Sequence, residues 1–322
     1  MSRTKRSPRS RYPAYLVIIA AILTAAVGGL RARWSTLDGT QGIPVIPEGS
    51  TSVFYVDVGQ GDCELIRTPG GETILIDAGT NATGDELVAY IQSMGIQKID
   101  KLIATHPHED HIGGMDEVVN AFEIGDVYLP RVADSQTPTT KTYERLLTAI
   151  SGKGLQITQG KGGMTVLEEE GVTLEFLAPN SDSYSGLNSY SIAAKLTCGE
   201  KSFLFTGDAE EDSEEEMVAL GYNLQSDVLK CGHHGSSTST CDALLQAVQP
   251  KYAVISCGLD NDYGHPHRET MQKLKATDLT AWLVRKGLLQ ESIRNDKRYK
   301  DPSPAGKAMG ITSEWKDSFS GG

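Results

Sequence analysis

From residue 51 onward, short apolar runs alternate with helical stretches. S-V-F-Y-V-D-V, E-L-I-R-T and T-I-L-I-D are separated by the glycine turns G-Q-G-D and P-G-G-E. Short apolar runs bounded by turn residues predict three strands. The spacing then lengthens, predicting a helix over 85–94, a strand through K-I-D-K-L-I-A-T-H, a helix over 111–122, a strand at D-V-Y-L-P and a helix over 140–150. A second half repeats the scheme with M-T-V-L, V-T-L-E-F-L, S-I-A-A-K-L-T and K-S-F-L-F-T-G-D. Helices over 211–220, 242–248 and 269–275 follow, with strands D-V-L-K and Y-A-V-I-S between them. Two such half-sets make an α/β chain and fit two facing sheets with helices outside, an αββα sandwich.

The ends read differently. Arg3, Lys5, Arg6, Arg9 and Arg11 precede an uncharged run over 12–30, about long enough to cross a bilayer as a helix. Positive charge before the run predicts a cytoplasmic N-terminus and a single-pass protein of the cell membrane with its body outside the cytoplasm. Cleavage as a signal peptide near 25–29 is the competing expectation and would leave the body secreted. Residues 1–33 are therefore read as basic N-terminus and anchor or signal segment, 34–50 as a Gly/Pro-rich linker, 51–277 as the folded domain and 278–322 as a divergent, mobile tail.

Charge narrows the partners. The 322 residues carry 30 Lys/Arg against 42 Asp/Glu; with the first 33 residues set aside, 23 face 42, a net charge of −19. Such a balance argues against strong passive binding to nucleic acid or to an anionic membrane surface, because phosphate contacts need Lys and Arg. The five cysteines show no paired C-x-x-C spacing, so neither a zinc knuckle nor a disulfide framework is indicated.

Candidate chemistry sits in the histidines. All seven fall in three polar clusters: His106, His108 and His111 in T-H-P-H-E-D-H, His233 and His234 in C-G-H-H-G-S-S, and His265 and His267 in Y-G-H-P-H. Imidazole is the commonest ligand for zinc-like ions. In the first cluster His106, His108 and Asp110 alternate along a strand-to-loop stretch while His111 opens the next helix, so four ligand-type groups converge within six residues.

This H-x-H-x-D-H stretch resembles the motif of the metallo-β-lactamase superfamily. Val56 to Asp62 (V-D-V-G-Q-G-D), I-D-A-G ending at Gly79, N-S-Y-S from Asn188, F-T-G-D ending at Asp208, and L-K-C-G-H-H-G-S-S-T-S from Leu229 narrow the resemblance, as does V-I-S-C-G-L-D-N-D-Y-G-H-P-H from Val254. Together they resemble the ComEC-type hydrolase domain of DNA-internalisation competence proteins over roughly 50–276. The resemblance implies the metallo-β-lactamase αββα fold and two divalent metal ions, with zinc expected and manganese the alternative. It implies His106 and His108 on metal one, Asp110, His111 and His265 on metal two, and Asp208 bridging. Two such ions activate water and stabilise a phosphoryl transition state. Asp110 would orient the nucleophile, and His234, with His233 in reserve, would act on a phosphoryl oxygen or leaving group. Gln60, Asp62 and Asn188 would face the substrate. Asp77 reads equally as a turn former or as a carboxylate fixing a ligand histidine.

One departure stands out: no histidine occurs from 112 to 232, where most of the superfamily places another ligand, and Asn188 occupies that place. The leading expectation is an exported, membrane-anchored metal-dependent hydrolase of phosphodiesters, with DNA as the family-implied substrate. No protein partner is indicated. The alternatives are a lactonase or β-lactamase-type hydrolase and a non-catalytic DNA-uptake scaffold with an impaired site.

Overall fold

The computed structural model describes residues 19–26, 29–36, 46, 49–169, 171–277 and 279–284. Part of the segment expected as a membrane helix lies outside the described residues. The part described is an antiparallel strand pair, β1 (Ile19–Ala26) with β2 (Gly29–Thr36). Hydropathy measures how apolar a run is, not whether it coils or extends. No helix among the described residues is long and apolar enough to cross a membrane.

The first half forms a six-stranded sheet: β3 (Ser52–Tyr55), β4 (Glu64–Arg67), β5 (Thr73–Ile76), β6 (Lys98–Ile103), β7 (Glu123–Pro130) and β8 (Ile157–Gly160), in that order. The strands from β5 to β8 run parallel. Its helices are α1 (Gly84–Ser93), α2 (Glu109–Ile112), α3 (Met115–Ala121) and α4 (Lys141–Gly152). The second half builds a seven-stranded sheet from β9 (Met164–Glu169), β10 (Val172–Phe176), β11 (Ala194–Cys198), β12 (Lys201–Phe205), β13 (Val228–Lys230), β14 (Tyr252–Ser256) and β15 (Thr280–Val284), again in chain order. Helices α5 (Glu211–Ala219), α6 (Asp242–Val248) and α7 (Arg268–Ala276) complete it.

Side-chain alternation explains the layers. In β5, Ile74 and Ile76 face the core between the sheets, while Leu75 joins the core under α1, α3 and α4. In β12, Phe203 and Phe205 face the other sheet and Leu204 turns toward Met217, Leu244 and Met271 of the outer helices. A strand covered on both faces reads as a near-continuous apolar run, as I-L-I in β5 and V-F-Y in β3 do. The five cysteines are all buried.

Two boundaries differ from expectation. The helix expected over 111–122 is two, α2 and α3, broken at Gly113–Gly114. A Cβ on Gly113 would lie 2.2 Å from the Asn81 nitrogen, and one on Gly114 2.6 Å from the Ala78 oxygen. The backbone of the loop after β5 thus runs through the break. At the other end, β15 lies beyond the boundary expected at 277 and pairs parallel with β14, adding a strand to the second sheet. Parallel strands of both sheets end on one edge, and loops leaving that edge carry the histidine clusters, where α/β sheets bind ligands.

Candidate metal centre

Four elements deliver the converging residues. The loop after β6 carries His106 and His108, and α2 carries Asp110 and His111; Asp110 sits in the first turn of a helix rather than in an extended stretch. The loop after β12 carries Asp208, and that after β13 carries His233 and His234 in a 3₁₀ turn, both with positive φ (49° and 54°). Two adjacent non-glycine residues in the left-handed region cost on the order of 1–2 kcal/mol each, and they place neighbouring imidazoles against Asp208 Oδ2, at 3.7 and 3.6 Å. The D-V-G-Q-G-D turn backs the centre: a Cβ on Gly61 would stand 2.3 Å from the Asp110 carbonyl oxygen, so the turn needs glycine to approach α2.

The histidines share an orientation. His111 Nδ1 lies 2.7 Å from Asp77 Oδ2, and its Nε2 faces Asp208 Oδ1 at 3.2 Å. His234 Nδ1 lies 3.0 Å from the Ser256 carbonyl and 3.2 Å from Asp62 Oδ1; its Nε2 is 3.2 Å from Asp110 Oδ2 and 3.6 Å from Asp208 Oδ2. His106 Nε2 lies 3.8 Å from Asp208 Oδ2 and 3.0 Å from His108 Nδ1. Ligand atoms of Asp62, His111, Asp208 and His234 all fall within 4.8 Å of one another. His111 Nε2 and Asp208 Oδ1 are buried and form no hydrogen bond, and the same holds for Asp62 Oδ1 and Asn188 Oδ1. Buried ligand-type atoms that converge without hydrogen bonds are costly unless positive charge joins them, so these residues fit a divalent metal centre.

Charges point the same way. Burial opposes ionisation of Asp208, yet His111 and His234 hold its carboxyl well below the usual range. Burial likewise opposes protonation of His234, but Asp208 and Asp62 push it up to about 10. His111 rises well above its ordinary value against burial because Asp208, Asp77 and Asp110 surround it. Protons on these two imidazoles thus supply positive charge where a metal would, and metal binding must displace them. His106 is driven well below its usual value by burial and by His111.

Of the metal ligands expected from sequence, His106, His108, Asp110, His111 and Asp208 converge. His265 packs at the edge of that convergence, its ring centroid 5.4 Å from that of His233 and 6.0 Å from that of His234. It is buried in the wall of a cavity of about 520 Å³ that Asp110, Asp208 and His234 also line, with Nδ1 at 3.5 Å from Gln60 Nε2 and its backbone N–H donating to Asn261 Oδ1. The loop after β14 folds back onto Gln60, whose Oε1 accepts from the Gly258 N–H at 2.9 Å. His234 stands instead against Asp110 and Asp208. Asp62, expected to meet substrate, is buried behind His234 and paired with Lys230 Nζ at 2.6 Å. Gln60 and Asn188 do line the cavity. Asp77 fills both of its expected roles: its φ is 55°, it accepts from the Thr105 N–H and hydroxyl, and it contacts His111.

Lys230, Glu210 and Tyr263 went unnoticed in the sequence. A lysine inside the apolar strand V-L-K-C was a readable signal, since lysine is almost never fully buried unpaired. Glu210 was masked by the acidic run around it, and Tyr263 carries no motif of its own.

The Metallo-beta-lactamase superfamily matches residues 56–259. The chain is 30% identical over 240 residues to ComE operon protein 3 of Bacillus subtilis (strain 168), covering 69% of this chain and 30% of the relative. It is 30% identical over 311 residues to Competence protein ComA of Neisseria gonorrhoeae, covering 90% and 41%. It is also 26% identical over 274 residues to Hydroxyacylglutathione hydrolase of Aliivibrio salmonicida (strain LFI1238), covering 79% and 94%. The chain thus spans less than half the length of these two competence relatives. The family match runs from Val56 to Leu259 and takes in most of both sheets and every converging residue, so the chain belongs to the metallo-β-lactamase superfamily.

Proposed function

We propose that this chain is a two-metal hydrolase of phosphodiester bonds that acts on a nucleic-acid strand. The observation that carries the reading is the convergence of ligand-type groups on Asp208 beside an open cavity. His106, His108 and Asp208 would hold the first ion. Asp110, His111, Asp208 and His234 would hold the second, with His234 in the place expected for His265. When bound, the pair supplies Lewis acidity and a lowered water pKa; zinc suits the nitrogen-rich set, with manganese the alternative.

The remaining groups bind and orient. Asp110 faces the cavity and is steadied by His234 Nε2. Burial and the neighbouring His234 and His233 lower His265 to about 4, so at neutral pH it is uncharged. The Gln60 amide nitrogen faces its Nδ1 at 3.5 Å, which suits the tautomer protonated on Nε2. Tyr263, on the cavity rim, stacks on His265 with centroids 5.6 Å apart and planes 21° apart, while 66% exposed. An exposed ring there suits a nucleobase beside the scissile phosphate, and such stacking contributes about 1–3 kcal/mol.

The test is a chelator-treated sample reloaded with zinc or manganese and assayed on bis-p-nitrophenyl phosphate, single-stranded DNA, a hydroxyacyl thioester and a lactone. Metal-dependent turnover of the phosphodiesters is expected; turnover of the thioester alone would favour the second reading, prompted by the hydroxyacylglutathione hydrolase relative. Tyr263→Ala should raise KM for a thymidine p-nitrophenyl phosphodiester roughly 5- to 150-fold and spare methyl p-nitrophenyl phosphate. Equal losses on both would remove the stacking role.

The uncharged run over 12–30 behind five basic residues supports a membrane anchor with the body outside the cytoplasm. The full chain should stay with membranes through an alkaline wash. Release into the soluble fraction would contradict an uncleaved anchor.

A further inference from the structure

We infer that His233 is a ligand of the first metal position, supplying from the loop after β13 the nitrogen that the sequence lacks between residues 112 and 232. The inference rests on the two-metal reading above.

Three imidazoles around Asp208 are built alike. In His111 and His234 the Nδ1 edge is fastened by an oxygen behind the ring and Nε2 is turned toward Asp208. His233 repeats the pattern: its Nδ1 lies 3.4 Å from Glu210 Oε1 and 3.2 Å from Thr238 Oγ1, and its Nε2 lies 3.7 Å from Asp208 Oδ2. A carboxylate behind the ring fixes the tautomer and raises the basicity of the nitrogen in front, as at ligating histidines generally. His106 Nε2 approaches the same Asp208 oxygen at 3.8 Å. Two donors on one tetrahedral zinc stand about 3.4 Å apart, given bonds of 2.0–2.1 Å; a small inward movement would bring His106, His233 and Asp208 to that spacing.

The surroundings agree. Asn188 does not simply stand in for the missing histidine: its Nδ2 lies 3.3 Å from Glu210 Oε1 and 3.4–3.5 Å from the ring nitrogens of His233. It buttresses both the ring and the carboxylate behind it. The left-handed backbone at 233 and 234 lets one dipeptide serve both ions. The His233 side chain is 23% exposed against 1% for His234, so the first position opens to the cavity and should bind its ion more weakly.

His233→Gly is the variant of choice, because glycine tolerates φ of 49° and leaves room for free imidazole. The full chain, stripped of metal, is titrated with Zn2+ against a competing chelator and with Co2+ by its absorption spectrum. The wild type should bind two ions. His233→Gly should keep the tighter one unchanged and hold the weaker one roughly 10- to 100-fold less well, with millimolar imidazole restoring it. Glu210→Gln and Asn188→Ala should weaken the same site by smaller factors, and they carry the test if the glycine variant fails to fold. Two ions bound with wild-type affinity and an unchanged Co2+ spectrum in His233→Gly would overturn the inference. A wild type that binds no metal would instead overturn the two-metal reading, and this inference with it.

Discussion

Asp208→Ala should abolish turnover of a phosphodiester and remove bound metal, leaving the two sheets folded. Asp208 presents one oxygen to His111 and the other to His106, His233 and His234, at 3.2 to 3.8 Å, so both metal positions share it. Losing metal-based charge stabilisation costs several kcal/mol at the transition state, and about 4 kcal/mol is roughly 10³-fold in rate. Asp208→Asn keeps the volume but has one oxygen and no charge, and should fall nearly as far. The check is elemental analysis and single-turnover assay on the same sample, with circular dichroism for the fold. Undiminished turnover in either variant would sink the assignment of the centre.

Lys230→Met should cost the metal-free protein about 3–5 kcal/mol of stability, the loss expected when one partner of a buried ion pair is removed. Lys230 is fully buried, its Nζ 2.6 Å from Asp62 Oδ2 and 3.1 Å from the Cys231 carbonyl. Without that cation, Asp62 is left charged beneath the site beside buried Glu64, whose carboxyl is already pushed well above its usual range by burial and by Asp62. Adding Asp62→Asn should recover part of the loss, because the uncompensated charge is gone. The pH window follows from the shifts. Against burial, Lys230 and His234 lower Asp62, so its contribution is present above the ordinary carboxylate value and is lost as pH falls through the folded one. Against burial, Asp62 raises Lys230, so its contribution is present below the ordinary lysine value and is lost as pH rises through the folded one. The penalty should therefore be largest between roughly pH 4 and pH 10 and shrink toward either end. Urea unfolding at three pH values measures it; a loss below about 1 kcal/mol at neutral pH would show that the pair carries no stability.

Much of this was legible beforehand for a physical reason. Continuous apolar runs such as V-F-Y and I-L-I between glycine turns mark strands buried on both faces, and that information is local. The convergence of His106, His108, Asp110 and His111 was equally local, because six residues of chain cannot separate them far. Legibility failed where the answer depended on residues far apart in sequence. The edge strand Thr280–Val284 gains its place only by pairing with Tyr252–Ser256. The break at Gly113–Gly114 is visible only once the Ala78–Asn81 backbone is seen to cross it.

The sequence by itself determined the fold class, the family and the presence of a metal-type cluster, since periodicity and short motifs are written in neighbouring residues. The tertiary structure decided how the remote histidines are placed around that cluster. His234, His233 and His265 are alike in composition and lie at least 122 residues beyond His111. The turn after β13, left-handed at two consecutive residues, sets His233 and His234 beside Asp208, and the loop after β14 sets His265 against Gln60. It also decided that Asp62 lies behind the site with Lys230, because desolvation makes a buried charge find its partner wherever in the chain that partner is.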